Sequence, residues 1–188
     1  MTAFPDVILV LCTGRCGSMT FARAAAHLPG WTAGHETRTH ITGPARFDWP
    51  AHHIEVDNRL SWMLGRLDRA WGDRAAYVHL TRDPEEVARS FASRAANGIM
   101  RAYRTDILAR SMARVPRPSL IDTCRDYVDT VTENITMFLR DKTHVLPMRL
   151  ETLPQDFDLF CGWAGIGGDL TAARAELAIR HNATESPA

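Results

Sequence analysis

Thr13, Gly14, Arg15, Cys16, Gly17 and Ser18 are the first residues in the chain whose types and spacing suggest chemistry. They stand between an apolar run and a helix-like run. Backbone amides at a helix N-terminus carry partial positive charge, and glycines let the backbone close on phosphate oxygens. Arg15 adds a rigid fork of donors suited to an oxyanion. The stretch is predicted to bind an anion.

Three familiar anion loops do not fit it. Walker A needs glycine five residues after the first, followed by Lys and Ser or Thr, and the residue five after Gly14 is Met19. The dinucleotide fingerprint needs a third glycine, and only Gly14 and Gly17 are present. A cysteine phosphatase loop places arginine six after the nucleophile. Here Ser18 follows Cys12 at that distance, and Ala22 follows Cys16.

A second segment extends the argument. Residues 75–81 read as a strand that stops at Arg82-Asp83-Pro84. Asp83 can cap a helix, Pro84 suits its first turn, and Glu85 and Glu86 complement its dipole. That helix is expected to run to about residue 96, broken at Asn97-Gly98, with Ser90 and Arg94 one turn apart on it. Ligands of open α/β sheets bind at the C-terminal tips of strands. Two anion-binding elements at two such tips imply a ligand with two separate phosphate groups.

The elements that must position these residues follow from the apolar pattern. Residues 7–12 are continuously apolar, as a strand covered on both faces should be. Further strands are expected at 31–34, 53–56, 75–81 and 144–149, with 7–12, 75–81 and 144–149 buried. Helices are expected at 19–27, 58–71, 99–114, 119–140, 156–164 and 170–180, and a loop at 41–52. Alternating strands and helices give an α/β fold, a parallel sheet with helices on both faces.

The chain has 188 residues, enough for one core, with 22 Lys plus Arg against 22 Asp plus Glu. That balance argues against a general nucleic-acid or membrane-surface binder. The arginines at 101, 104, 110, 114 and 117 read mainly as a solvated face. Four cysteines at 12, 16, 124 and 161 show no disulfide or zinc spacing, which fits a reducing cytoplasm. His52-His53 has no third ligand at metal spacing, so no metal is expected. The first twelve residues read as a strand, not as a signal peptide or membrane span.

At this point the sequence resembles a known family. "TGRCGS" resembles the 5′-phosphosulfate loop of sulfotransferases that use 3′-phosphoadenosine 5′-phosphosulfate (PAPS). "VHLTRDPEEVARSFASR" resembles their 3′-phosphate motif, with Ser90 eight residues after Arg82. "VLPMRLETL" and "FCGWAGIGG", the latter followed by a helix and "RHN", resemble later segments of bacterial and carbohydrate-type members. The family's frequent loop lysine is Arg15 here, its following serine is Cys16, and one of two threonines is Met19.

The resemblance implies a three-layer P-loop-NTPase-like fold, one domain over 1–182 and a tail at 183–188. It implies that Gly14, Arg15, Cys16, Gly17, Ser18, Met19 and Thr20 hold the 5′-phosphosulfate, and that Arg82, Ser90 and, secondarily, Arg94 hold the 3′-phosphate. Arg15 would also stabilise charge on the bridging oxygen. A family member's Glu or His near "HETRTH" is the base, which points to Glu36 first, His35 second and His40 third. The acceptor is a hydroxylated small molecule, lipid or carbohydrate, and a homodimer stays open. Two rival readings remain: a P-loop-type kinase needing Mg²⁺ and acidic ligands, and a nucleotide-binding module without catalysis.

Overall fold

A computed structural model describes residues 4–94, 98–108 and 118–179. The expected tail, "RHN", the break at Asn97, and Arg110, Arg114 and Arg117 lie outside these residues. Five strands form one sheet: β1 (Val7–Leu11), β2 (Thr32–His35), β3 (His53–Val56), β4 (Ala76–Thr81) and β5 (Val145–Arg149). Their order is β2-β3-β1-β4-β5, and every pairing is parallel. Every strand therefore ends at the same edge, and the loops that follow all five share that rim.

The apolar run of β1 is continuous because both its faces are covered. Ile8 and Val10 pack with α1 (Ser18–Ala25), α6 (Leu153–Trp163) and α7 (Thr171–Leu177). Val7, Leu9 and Leu11 pack with α2 (Leu64–Ala70), α3 (Pro84–Ala92), α4 (Gly98–Ala102) and α5 (Leu120–Leu139). This is the three-layer α/β arrangement expected from the sequence.

The differences have local causes. Residues 58–71 are not one helix: a 3₁₀ turn, Asn58–Trp62, precedes α2. Asp57 caps that turn by accepting the Arg59 amide, at 2.8 Å. The expected loop holds a short 3₁₀ turn, Pro44–Phe47. α6 begins at Leu153, not 156, because Pro154 occupies its first turn, where proline needs no donor. β5 is not a buried strand. It is the outer edge, and only Met148 in it is buried. Pro147 sits there at no cost, since an edge strand can lose a donor.

Candidate active site

Both stretches expected to bind an anion lie on the common rim, after neighbouring strands. The first follows β1 and runs into α1. Gly14 and Gly17 have φ of 85° and 82°, in the left-handed region. A Cβ on Gly14 would meet Asn58 Nδ2 at 2.9 Å, and one on Gly17 would collide with Leu150. Both positions need glycine for conformation and for space. Arg15 between them is also left-handed, at φ 61°.

Side chains from distant parts of the chain hold the loop's carbonyls. Ser61 Oγ donates to Cys12 O at 3.2 Å, and Tyr127 Oη to Thr13 O at 2.8 Å. Thr13 Oγ1 donates to Gly14 O at 2.9 Å, and Arg82 Nη1 to Arg15 O at 3.3 Å. A trans peptide places the next N–H opposite its C=O. The N–H groups of Arg15 and Cys16 are thus left facing away from those donors. The amides of Ser18, Met19 and Thr20 begin α1 and have no partner within the helix. The Cys16 side chain is buried in the core, while Thr20 is buried and Met19 half-buried. Cys12 lies beneath the loop, and its thiol is pushed well above its ordinary value by the Cys16 side chain and by burial.

The second stretch meets the first directly. Arg15 Nε donates to Ser90 Oγ at 2.9 Å. Arg82 reaches the loop and also pairs with Glu86 at 3.2 Å. Burial, then the charges of Arg94 and Arg82, lower the pKa of Arg15. Two further guanidinium groups therefore stand close enough to disfavour the charge of Arg15. Arg94 is not on α3 as expected: the helix ends at Ala92, Ser93 caps it, and the Arg94 amide closes the turn onto Phe91 O at 2.9 Å. The Asp83 amide donates to Glu151 Oε1 at 2.7 Å, which ties the start of α3 to the end of β5.

The candidate bases sit after β2. His35 Nε2 is 3.1 Å from Ser18 Oγ, so it touches the start of α1. Glu36 has φ 55° and pairs with Arg59. His40 is exposed, four residues further on, and is not brought to the loop by any bond seen here. The turn carrying Glu36 is clamped from below. Buried Glu55 accepts the Thr37 amide at 2.7 Å and its hydroxyl at 2.5 Å, and lies 3.1 Å from His53 Nε2. Arg59 is held in turn through Asp57, which is fully buried and paired with buried Arg46.

Burial alone would raise the pKa of Glu55. The bonds from His53 and Thr37 outweigh it and hold the carboxyl below its ordinary value of 4.5. A group depressed on folding stabilises the fold above its unfolded pKa and loses that effect as pH falls through the folded one. Glu55→Gln is therefore expected to cost about 1.5–3 kcal/mol near neutral pH, the worth of a charge-assisted bond. The difference from the unaltered protein should shrink below about pH 4.5. Urea unfolding at pH 7 and at pH 3.5 measures both values. A gap that does not narrow in acid would mean the charge of Glu55 does not hold the turn.

Ser61, Tyr127, Arg59 and Arg46 carry no signal in the sequence, and the stretch Glu55–Asn58 stands out there only as a fallback source of the base, not as the support that Glu55, Asp57 and Asn58 give. Each meets the loop or the Glu36 turn only through the fold, and none belongs to a contiguous motif. Among the described residues, no group of three or more His, Cys, Asp or Glu is arranged to hold a metal, and no helix is long and apolar enough to cross a membrane.

The sheet order, the shared rim and the glycine loop entering α1 define a P-loop-like α/β protein. No family model matches the chain, and no curated protein matches its sequence. Solved structures do resemble it. A sulfotransferase domain from the curacin biosynthetic pathway matches with a TM-score of 0.66 at 13% identity, over 92% of this chain and 77% of that one. The chain has the fold of a sulfotransferase domain.

Proposed function

We propose that the chain is a sulfotransferase that moves a sulfuryl group from PAPS to a hydroxyl or amine and releases adenosine 3′,5′-bisphosphate. The observation that carries this reading is the bond from Arg15 to Ser90, which joins the two anion-binding stretches into one site. The residues present fit a ligand with two phosphate groups: a glycine cradle at one end, Arg82 and Ser90 at the other, and Arg15 between them.

PAPS supplies an activated sulfuryl group on a phosphate anhydride. The protein's own part is positioning and charge stabilisation. The amides of Cys16, Gly17, Ser18 and Met19 hold the 5′-phosphate, with the Ser18 and Thr20 hydroxyls beside them. Arg82 and Ser90 hold the 3′-phosphate, and Arg94 adds charge from the end of α3. Arg15 offsets negative charge between the two ends. Glu36 takes the acceptor's proton, held at the rim by Arg59. The four buried, unpaired cysteines fit the reducing cytoplasm as its place of action.

Asp57 argues against a kinase. In P-loop kinases an aspartate on the strand beside the loop holds Mg²⁺. Here that carboxylate is fully buried, paired with Arg46 and bonded to the Arg59 amide. Both of its oxygens are already engaged, one by Arg46 and one by the Arg59 amide.

Transfer of labelled sulfate from PAPS to a panel of hydroxylated acceptors, in the presence of a chelator, tests the reading. Transfer is expected without added Mg²⁺. Phosphoryl transfer from ATP that needs Mg²⁺ would replace the reading with the kinase. Tight nucleotide binding with no transfer to any acceptor would leave a binding module.

A further inference from the structure

β2 ends on His35, one residue before the candidate base, and its ring reaches the glycine loop. His35 Nε2 lies 3.1 Å from the hydroxyl of Ser18, the first residue of α1. One peptide thus carries both a contact to the loop and the group assigned to the acceptor.

The backbone that carries the ring is fixed before and after it. His35 stands opposite Val56 in the parallel pairing of β2 with β3. The Glu36 amide donates to Val56 O at 3.0 Å, and the left-handed φ of Glu36, 55°, turns the chain away after it. Glu55 then clamps Thr37.

The loop has few hydroxyls to offer a phosphate. The Cys16 side chain is buried in the core, and Met19 has no hydroxyl. The Thr13 hydroxyl donates to Gly14 O at 2.9 Å. Ser18 and Thr20 remain, Thr20 buried and Ser18 half-buried. The direction in which the Ser18 hydroxyl donates therefore matters.

A serine hydroxyl has one proton to give. A phosphate dianion offers only acceptors, so Ser18 must give it that proton. Toward His35 two arrangements exist. If Ser18 donates to Nε2, its proton is used and its lone pairs face the phosphate. If Nε2 carries a proton and donates to Ser18, the hydroxyl proton is left for the phosphate. A neutral ring protonated at Nε2 and a cationic ring both allow this, and a ring protonated only at Nδ1 does not.

We propose that His35 is a positioning residue for the sulfuryl donor: its Nε2–H donates to Ser18 Oγ and turns the hydroxyl proton toward the 5′-phosphate. This rests on the nucleotide-binding part of the sulfuryl-transfer reading. Glu36 keeps its role as the proton acceptor. By linkage, the bound phosphate and the ring protonated at Nε2 favour each other equally.

Nitrogen-15 spectra of the full chain at pH 8, where a histidine ring is ordinarily neutral, read the ring directly. The His35 signals are those missing in His35→Gln. With adenosine 3′,5′-bisphosphate bound, Nε2 is expected to carry the proton. A bound ring protonated only at Nδ1 would overturn the proposal. Calorimetry with the same ligand gives a second reading. His35→Leu should weaken the bisphosphate by about three- to tenfold, the worth of one hydrogen bond. His35→Gln places an amide N–H near the position of Nε2 and should recover most of that loss. Ser18→Ala should weaken binding by at least as much. Once Ser18 is alanine, His35→Leu should add less than about a twofold further loss, since the two act through one hydroxyl. A full further loss in the double variant would make His35 a structural residue and overturn the proposal. In either contrary case the bisphosphate still binds the unaltered protein, and the sulfuryl-transfer reading stands. Failure of the unaltered protein to bind it would overturn that reading and this proposal together.

Discussion

Glu36→Gln is expected to lower sulfate transfer by on the order of a hundredfold or more, the usual contribution of a positioned general base. The substitution keeps the size of the side chain and one oxygen that accepts from Arg59. It removes the negative charge, and with it the ion pair to Arg59 and the capacity to take a proton. The turn that presents residue 36 is held by Glu55 through Thr37, so it should survive the change. Affinity for adenosine 3′,5′-bisphosphate should therefore stay within about twofold, a difference of a few tenths of a kcal/mol. His35 gives the contrasting case. Its ring touches Ser18 at the start of α1, so His35→Ala should disturb nucleotide binding as well as turnover. If Glu36→Gln keeps full transfer while His35→Ala loses it with nucleotide affinity intact, the base is His35. If His40→Ala alone abolishes transfer, the assignment passes to His40.

Arg15→Met carries the second large effect. Removing a donor aimed at developing charge costs about 10²–10³-fold in kcat where such a donor has been measured. Arg15 also bonds Ser90, so its loss should weaken the bisphosphate as well. Stability without ligand should move the other way. Burial and the neighbouring charges of Arg94 and Arg82 lower the pKa of Arg15, which means its charged form is disfavoured in the folded state. A neutral side chain of similar length relieves that repulsion, so the ligand-free protein should be no less stable than the original. Thermal unfolding without nucleotide, set beside turnover, separates the two effects. A variant that is destabilised yet fully active would make Arg15 a structural residue only.

The parts of the site legible in the sequence are those built from neighbours in the chain. The glycine loop reads at once because β1, the turn and α1 follow one another within 19 residues. Arg82 and Ser90 read because a strand, a proline and a helix signal stand in order. The joining of the two stretches also follows, since parallel strands must end on one rim. What was hidden depends on contacts across the fold. Tyr127 reaches Thr13 from 114 residues away, and Ser61 reaches Cys12 from 49. The Glu55 clamp looks like an ordinary alternating strand residue until its carboxylate meets the Thr37 turn. Asp57 reads as a loop acid, and only its pairing with Arg46 reveals why it is buried. β5 misled because its apolar letters resemble a central strand, although Pro147 already argued for an edge.

Binding of adenosine 3′,5′-bisphosphate compared with AMP tests the central claim most directly. The two ligands share the adenosine and the 5′-phosphate and differ in the 3′-phosphate that Arg82 and Ser90 are proposed to hold. At a hundredfold excess over its dissociation constant, the bisphosphate should raise stability by about 2.7 kcal/mol. AMP at the same concentration should do much less, because charge-assisted bonds to the 3′-phosphate are each worth about 1.5–3 kcal/mol. In Arg82→Ala the advantage of the bisphosphate should shrink toward that of AMP. Equal stabilisation by the two ligands in the unaltered protein would contradict the account, since the site would then hold one phosphate and not two.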